Sequence, residues 1–194
     1  MTISGASQCT ETRELWGGAV EAQLPARMLD VSDMRPVPDH QEVWADTRTD
    51  QAIIFEIVEH DTSVPDGEAG RHMFEDAAVG NEAVASAIDS VASLGAQEVP
   101  GVPEASYRCL VRGRQTVRRG QQAADTCVLL AVLRLPHVGS DLLITLSTPS
   151  APPPAAAGEA AAAAAAAGLG EAEQQELMVG MLRSLRVHSW ELFG

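Results

Sequence analysis

DVSDMRPVPDHQEVW, residues Asp30 to Trp44, crowds Asp30, Asp33, Asp39 and Glu42 around two prolines and runs into a strand-like QEVW, with Asp46 just beyond. Asp30 is placed to cap a very short helix, because its carboxylate accepts from backbone N–H groups two or three residues on, and Pro36 ends that helix by lacking an N–H. Pro38 sets φ, and Asp39 suits a turn that feeds Gln41 to Trp44 into a sheet. The local chemistry therefore predicts a stiff acidic knuckle leading into a strand. Two uses are open to it: a well-made loop with solvated charges, or a surface that meets a partner.

Reading outward, Leu15 to Leu24 (LWGGAVEAQL) begins with a glycine pair and then sets Val20, Ala22 and Leu24 against Glu21 and Gln23. Period two predicts a half-buried strand, and the lone Gly17–Gly18 pair reads as a tight turn rather than a phosphate cradle. Gln51 to Glu59 and Cys127 to Leu135 are apolar on both parities, the pattern of central strands covered on both sides. A loop with Pro136, Gly139 and Ser140 leads into Asp141 to Thr148, which predicts an antiparallel hairpin with the preceding strand. Gly67 to Ala78 and Glu171 to Leu185 carry helical spacing, Met73 with Ala77 and Leu177 with Met181, Leu182 and Leu185. The fold class expected is α/β: an α/β/α sandwich with a mostly antiparallel central sheet covered by helices on both faces.

The chain's 194 residues suit one domain. We expect a flexible N-terminal tail over residues 1–13 and a single domain over 14–194. A Pro/Ala-rich low-complexity insertion at about 149–170 (APPPAAAGEAAAAAAAAGLG at its centre) is expected to be a surface excursion without function. Aromatics are scarce at 4%, so aliphatic side chains must build the core. The formal charge of −14 and a pI near 4.6 argue against nucleic acid or an anionic membrane and favour a basic partner. No apolar run approaches the ~20 residues of a membrane span, and the N-terminus has no apolar signal core. A soluble intracellular protein is expected.

Several chemistries lack their residues. Every one of the 13 cationic residues is arginine; without lysine there is no Walker A clamp, no Schiff base and no kinase-type strand lysine. His40, His60, His72, His137 and His188 never fall at metal-ligand spacing. Cys9, Cys109 and Cys127 show no CxxC pattern, and the latter two sit in apolar strands where a thiol is inert. No cofactor and no metal are expected. His40, inside the knuckle, is open to two readings, a pH sensor or a solvated loop histidine. Arg108, Arg112, Arg114 and Arg118 share one parity, predicting a basic stripe that is either a charge-guarded outer face or a contact for an acidic partner.

The knuckle closely resembles the signature of the Mog1 family, the Ran guanine nucleotide release factors, with its run of aspartates, Arg-Pro-Val-Pro-Asp and Gln-Glu-Val. The similarity begins at LWGGAV, continues through AIIFEIVE, RHMFED, RGRQTVRRGQQAAD and LLAVLRLPHVGSDLLITL, and closes at WELFG. His40 and Trp44 depart mildly from the family pattern. The resemblance implies the fold shared with photosystem II PsbP proteins. It also implies a non-catalytic regulator that binds the GTPase Ran and promotes nucleotide release, in nucleus and cytoplasm. By matching position the Ran contacts fall on Asp39 and Glu42, with Asp30, Asp33, Arg35 and Gln41 around them as further partner-binding candidates. A monomer is expected. A trafficking or scaffold adaptor using the same acidic surface, and a PsbP-like photosynthetic accessory role, are the alternatives.

Two outcomes follow from sequence alone. Calorimetric titration with GTP, GDP, Mg²⁺ or Zn²⁺ is expected to give no saturable heat; micromolar binding of any of them contradicts the reading. Deleting Ala151 to Gly168 is expected to leave the cooperative melting transition nearly unchanged, since loop length enters closure entropy only logarithmically.

Overall fold

The computed structural model describes residues 9–119, 122–150 and 169–193; most of the Pro/Ala-rich insertion lies outside the described residues. In chain order the elements are β1 (Thr10–Leu15), β2 (Val20–Pro25), β3 (Leu29–Asp30), β4 (Gln41–Asp46), β5 (Gln51–Glu59), α1 (Asp66–Gly80), β6 (Ala83–Ser93), β7 (Tyr107–Arg119), β8 (Gln122–Leu135), β9 (Ser140–Pro149), α2 (Glu171–Ser184) and β10 (Arg186–Val187). Seven strands form one antiparallel sheet in the order β3-β4-β5-β9-β8-β7-β6, and β1, β2 and β10 form a second, smaller one.

The strands that are apolar on both parities, β5, β8 and β9, lie at the inside of the large sheet. Each must bury two faces. One face carries Ile53, Phe55, Leu129, Ala131, Leu133, Leu142 and Ile144 and is closed by α2 together with the β1–β2 hairpin. The other carries Val111, Val128, Leu130, Val132 and Leu143 and is closed by Met73 and Phe74 of α1. Helix and sheet approach closely here because two side chains are missing. A Cβ on Gly70 would stand 2.7 Å from Cys109 Sγ, and one on Gly113 would stand 2.5 Å from Phe74 Cζ. Helices thus stand on both faces, as expected, but the covers are unequal. α1 packs chiefly on β6, β7 and β8, and its cluster includes Leu143 of β9; among the described residues no helix covers the same face of β4 and β5.

Three features differ from expectation. Thr10 to Arg13, expected in the tail, are strand, paired with β2 from Thr10↔Pro25 to Leu15↔Val20. β6 was not foreseen, because an edge strand exposed on most of its length shows no apolar alternation. The basic stripe is exposed only in part, at Arg114 and Arg118. Its parity is that of Leu110, so Arg108 turns inward and donates to the carbonyls of Val102 and Pro103 at 2.8 and 2.9 Å. Arg112 pairs with Glu171 of α2 at 2.5 Å, and Arg114 with Asp89 of β6 at 2.9 Å.

A buried ionic cluster ties β8 and β9 to the entry of α1. Arg134, 1% exposed, donates to the carbonyls of Asp61 (2.6 Å) and Val64 (2.5 Å) and lies 3.4 Å from the fully buried Asp141. Asp141 also meets His60 Nδ1 at 2.7 Å. Asp141→Ala leaves the guanidinium without its buried counter-charge, and breaking such a pair from one side costs about 3–5 kcal/mol. Urea unfolding is expected to show a loss of that order; an unchanged midpoint would mean that the carbonyls alone satisfy Arg134.

Candidate functional site

The knuckle folds as its residue types dictate. Asp30 Oδ1 accepts from Ser32 N–H at 2.8 Å and caps a single 3-10 turn, Val31–Asp33, which ends before Pro36. Val31 is buried and anchors the turn to the domain, while Asp33, Met34, Arg35 and Asp39 are exposed. The strand that follows begins at Gln41, whose N–H donates to the Pro38 carbonyl at 2.9 Å.

An unforeseen residue holds this assembly. Trp16, between β1 and β2, donates its main-chain N–H to Glu42 Oε1 at 2.6 Å and its indole N–H to the Asp39 carbonyl at 3.0 Å. The turn that presents both donors is left-handed, with φ of 48° at Trp16, 64° at Gly17 and 91° at Gly18. Glycine takes such angles without the steric cost a Cβ brings, which gives the Gly17–Gly18 pair its role. The only hint in the sequence was a tryptophan beside a glycine pair.

These bonds divide the predicted site residues. Strand pleat sends successive side chains to opposite faces, so Gln41 and Glu42 part company. Glu42 turns toward the core that holds Trp44 and Phe55, under the Trp16 turn. Burial raises its pKa above the ordinary 4.5, the Trp16 N–H opposes this, and the charge of Asp30 adds to it. Glu42 is therefore a half-buried structural acceptor as well as a candidate contact. Gln41 faces the other way and donates to Glu56 Oε1 at 2.7 Å. His40 Nε2 stands 3.5 Å from the same carboxylate. Asp39 alone combines an exposed carboxylate with a main chain pinned by a tertiary hydrogen bond.

Asp46, the outermost carboxylate of the stretch, is spent on structure. It is 3% exposed and accepts from Arg27 Nε at 2.9 Å, Arg48 N–H at 3.0 Å and Thr49 Oγ1 at 2.9 Å. Burial pushes its pKa up, yet the three sets of donors outweigh burial and hold the carboxyl below 3.8. Cys109 and Cys127 lie in strands as expected, and burial pushes the Cys109 thiol up to about 11 and raises Cys127 as well.

Beside the knuckle, strands β4, β5 and β9 of the large sheet and the flank of α1 enclose an open groove of about 880 Å³. Val43, Ile54, Val58, Leu143 and Thr145 form its floor; Glu59, Asp61 and Asp76 stand on its rim; Gln41 and Arg35 mark the end nearest the knuckle.

The family described as "Ran-interacting Mog1 protein" matches residues 13–149. The chain is 35% identical over 187 residues to the Bos taurus protein named "Ran guanine nucleotide release factor", covering 95% of this chain and 97% of that one. In fold it is similar to the Saccharomyces cerevisiae Ran-binding protein Mog1p, with a TM-score of 0.71 at 21% identity, covering 97% of this chain and all of that one. It is also similar in fold to PsbP of Synechocystis, with a TM-score of 0.54 at 12% identity and 97% coverage of both chains. The acidic knuckle, the Trp16 turn and every element from β2 to β9 lie within the matched residues, and the chain belongs to the Mog1 family.

Proposed function

We propose that this protein binds the GTPase Ran through the acidic knuckle and promotes release of its guanine nucleotide. Asp39 carries the reading: its carboxylate is exposed, while its main chain is held by the Trp16 indole 3.0 Å away. A preorganised carboxylate loses little freedom on contact. Asp33 and Arg35 stand exposed beside it, and Asp30, Gln41 and Glu42 form its half-buried base. Release is a linkage effect. A factor that binds the nucleotide-free or loosened GTPase more tightly than the loaded form weakens nucleotide binding by the same ratio. The knuckle's carboxylates suit this by competing for cationic groups that otherwise hold phosphates and Mg²⁺. The protein supplies no covalent chemistry, acts as a monomer in nucleus and cytoplasm, and engages neither nucleic acid nor membrane. Its 27 carboxylates against 13 cations favour a basic protein surface instead.

Stopped-flow release of a fluorescent nucleotide from Ran, with and without this protein, tests the activity. Asp39→Ala is expected to weaken binding by about 2 kcal/mol or more, roughly 30-fold, and to melt within about 2 °C of the parent. Glu42→Ala behaves differently, since losing the acceptor of the Trp16 N–H costs about 1 kcal/mol of stability. Glu42→Gln keeps an acceptor, removes the charge and isolates the electrostatic part. Because the Glu42 pKa is raised on folding, its protonated form favours the fold. Wild-type stability relative to Glu42→Gln is therefore expected to fall as pH rises above the ordinary 4.5. Wild-type release rates in Asp39→Ala would overturn the knuckle mechanism.

A further inference from the structure

The groove between α1 and strands β4, β5 and β9 is a feature that the knuckle reading leaves unused. Its floor is a sheet face with Ile54 and Val58 half-buried beside the buried Val43 and Leu143, and Leu143 also belongs to the cluster that α1 closes. The floor strands β5 and β9 are hydrogen-bonded on both sides, β5 to β4 and β9, and β9 to β5 and β8. No strand can be added there. A chain lying on this face must satisfy its own backbone N–H and C=O groups, and an α-helix does so.

The charge selects the occupant. Glu56, Glu59, Asp61 and Asp76 line the groove with Arg35 as its arginine, and His72 is already 3.3 Å from Asp76. His60 is committed to the buried Asp141. A second copy of this chain would bring the same carboxylates and a charge of −14 against the rim.

We infer that this groove seats an amphipathic helix of the GTPase partner, apolar toward Ile54 and Val58 and basic toward Glu59 and Asp76, an inference that rests on the Ran-binding reading above. The groove opens at Gln41 and Arg35 onto the knuckle, so one partner reaches both. The knuckle then contributes a fixed charge and the groove an apolar seat, two contacts that engage separate parts of the partner.

The test uses full-length protein and Ran. Benzoylphenylalanine placed at Thr145, on the groove floor, is expected to photo-crosslink to a helical segment of Ran that carries Lys or Arg. Glu59→Arg combined with Asp76→Arg changes only exposed side chains and is expected to weaken binding more than tenfold with unaltered melting. Thr145→Trp, which fills the groove, is expected to do the same. Crosslinks to a loop or strand of Ran or to a second copy of this chain would overturn the inference, as would groove variants that bind within twofold of wild type. If those variants bind normally while Asp39→Ala does not, the groove inference fails and the knuckle reading stands. If wild-type protein binds no Ran, both fail.

Discussion

Two N–H groups of one residue organise the surface of this protein. The main-chain and indole donors of Trp16 both end in the knuckle, one on the Glu42 carboxylate and one on the Asp39 carbonyl. They join the small sheet to the edge of the large one across more than twenty residues of chain. A loop of two prolines and several aspartates is stiff within itself, but its position relative to the domain is a tertiary matter. Trp16 supplies that position, and the left-handed Gly17–Gly18 turn lets it do so. The consequence is a division of labour among carboxylates that look alike in sequence. Asp46 is buried under three sets of donors, Glu42 is half buried as an acceptor, Asp30 caps a turn, and Asp39 keeps its charge in solvent on a fixed backbone.

The second organising fact is the unequal cover of the large sheet. Gly70 and Gly113 let α1 settle against β7 with Phe74 in the gap, and a helix seated there cannot also cover β4 and β5. The smaller sheet and α2 take the opposite face over its central strands. Among the described residues, part of one sheet face is left as a groove with Ile54 and Val58 on its floor and acidic residues along it, adjoining the knuckle. Parity connects the two regions. β4 sends Gln41 and Val43 to the groove and Glu42 and Trp44 to the core, so one six-residue strand serves both the stability of the knuckle and the lining of the groove.

Ion pairing accounts for the arginines in the same economical way. Residues of one parity along β7 suggested a basic face, but that parity points to the α2 side of the sheet. There Arg108 finds two loop carbonyls and Arg112 finds the first turn of α2. Arg134 closes the corner where β8, β9 and the entry to α1 meet. With Arg108, Arg112, Arg114 and Arg134 engaged in internal contacts, the acidic side of the balance dominates what the surface offers a partner.

The local chemistry was legible in the residues themselves. The Asp30 cap, the stop at Pro36, the central strands apolar on both parities, the β8–β9 hairpin and both helices follow from φ restrictions, hydrogen-bonding capacity and periodicity, which act over a few residues. The knuckle's signature likewise pointed to the family before any fold was drawn. What the residues alone did not reveal depends on contacts between distant segments. Strand β6 lacks a pattern because its edge position leaves it exposed. The start of β1 is ordered by pairing with β2, although its sequence reads as a polar tail. The stripe on β7 has a parity but no intrinsic direction, because which face is inside is decided by the layer that packs on it. Glu42 and Asp39, three residues apart, have equal standing as sequence. Only the strand pleat and the arrival of Trp16 from another sheet turn one into a half-buried acceptor and leave the other's carboxylate exposed.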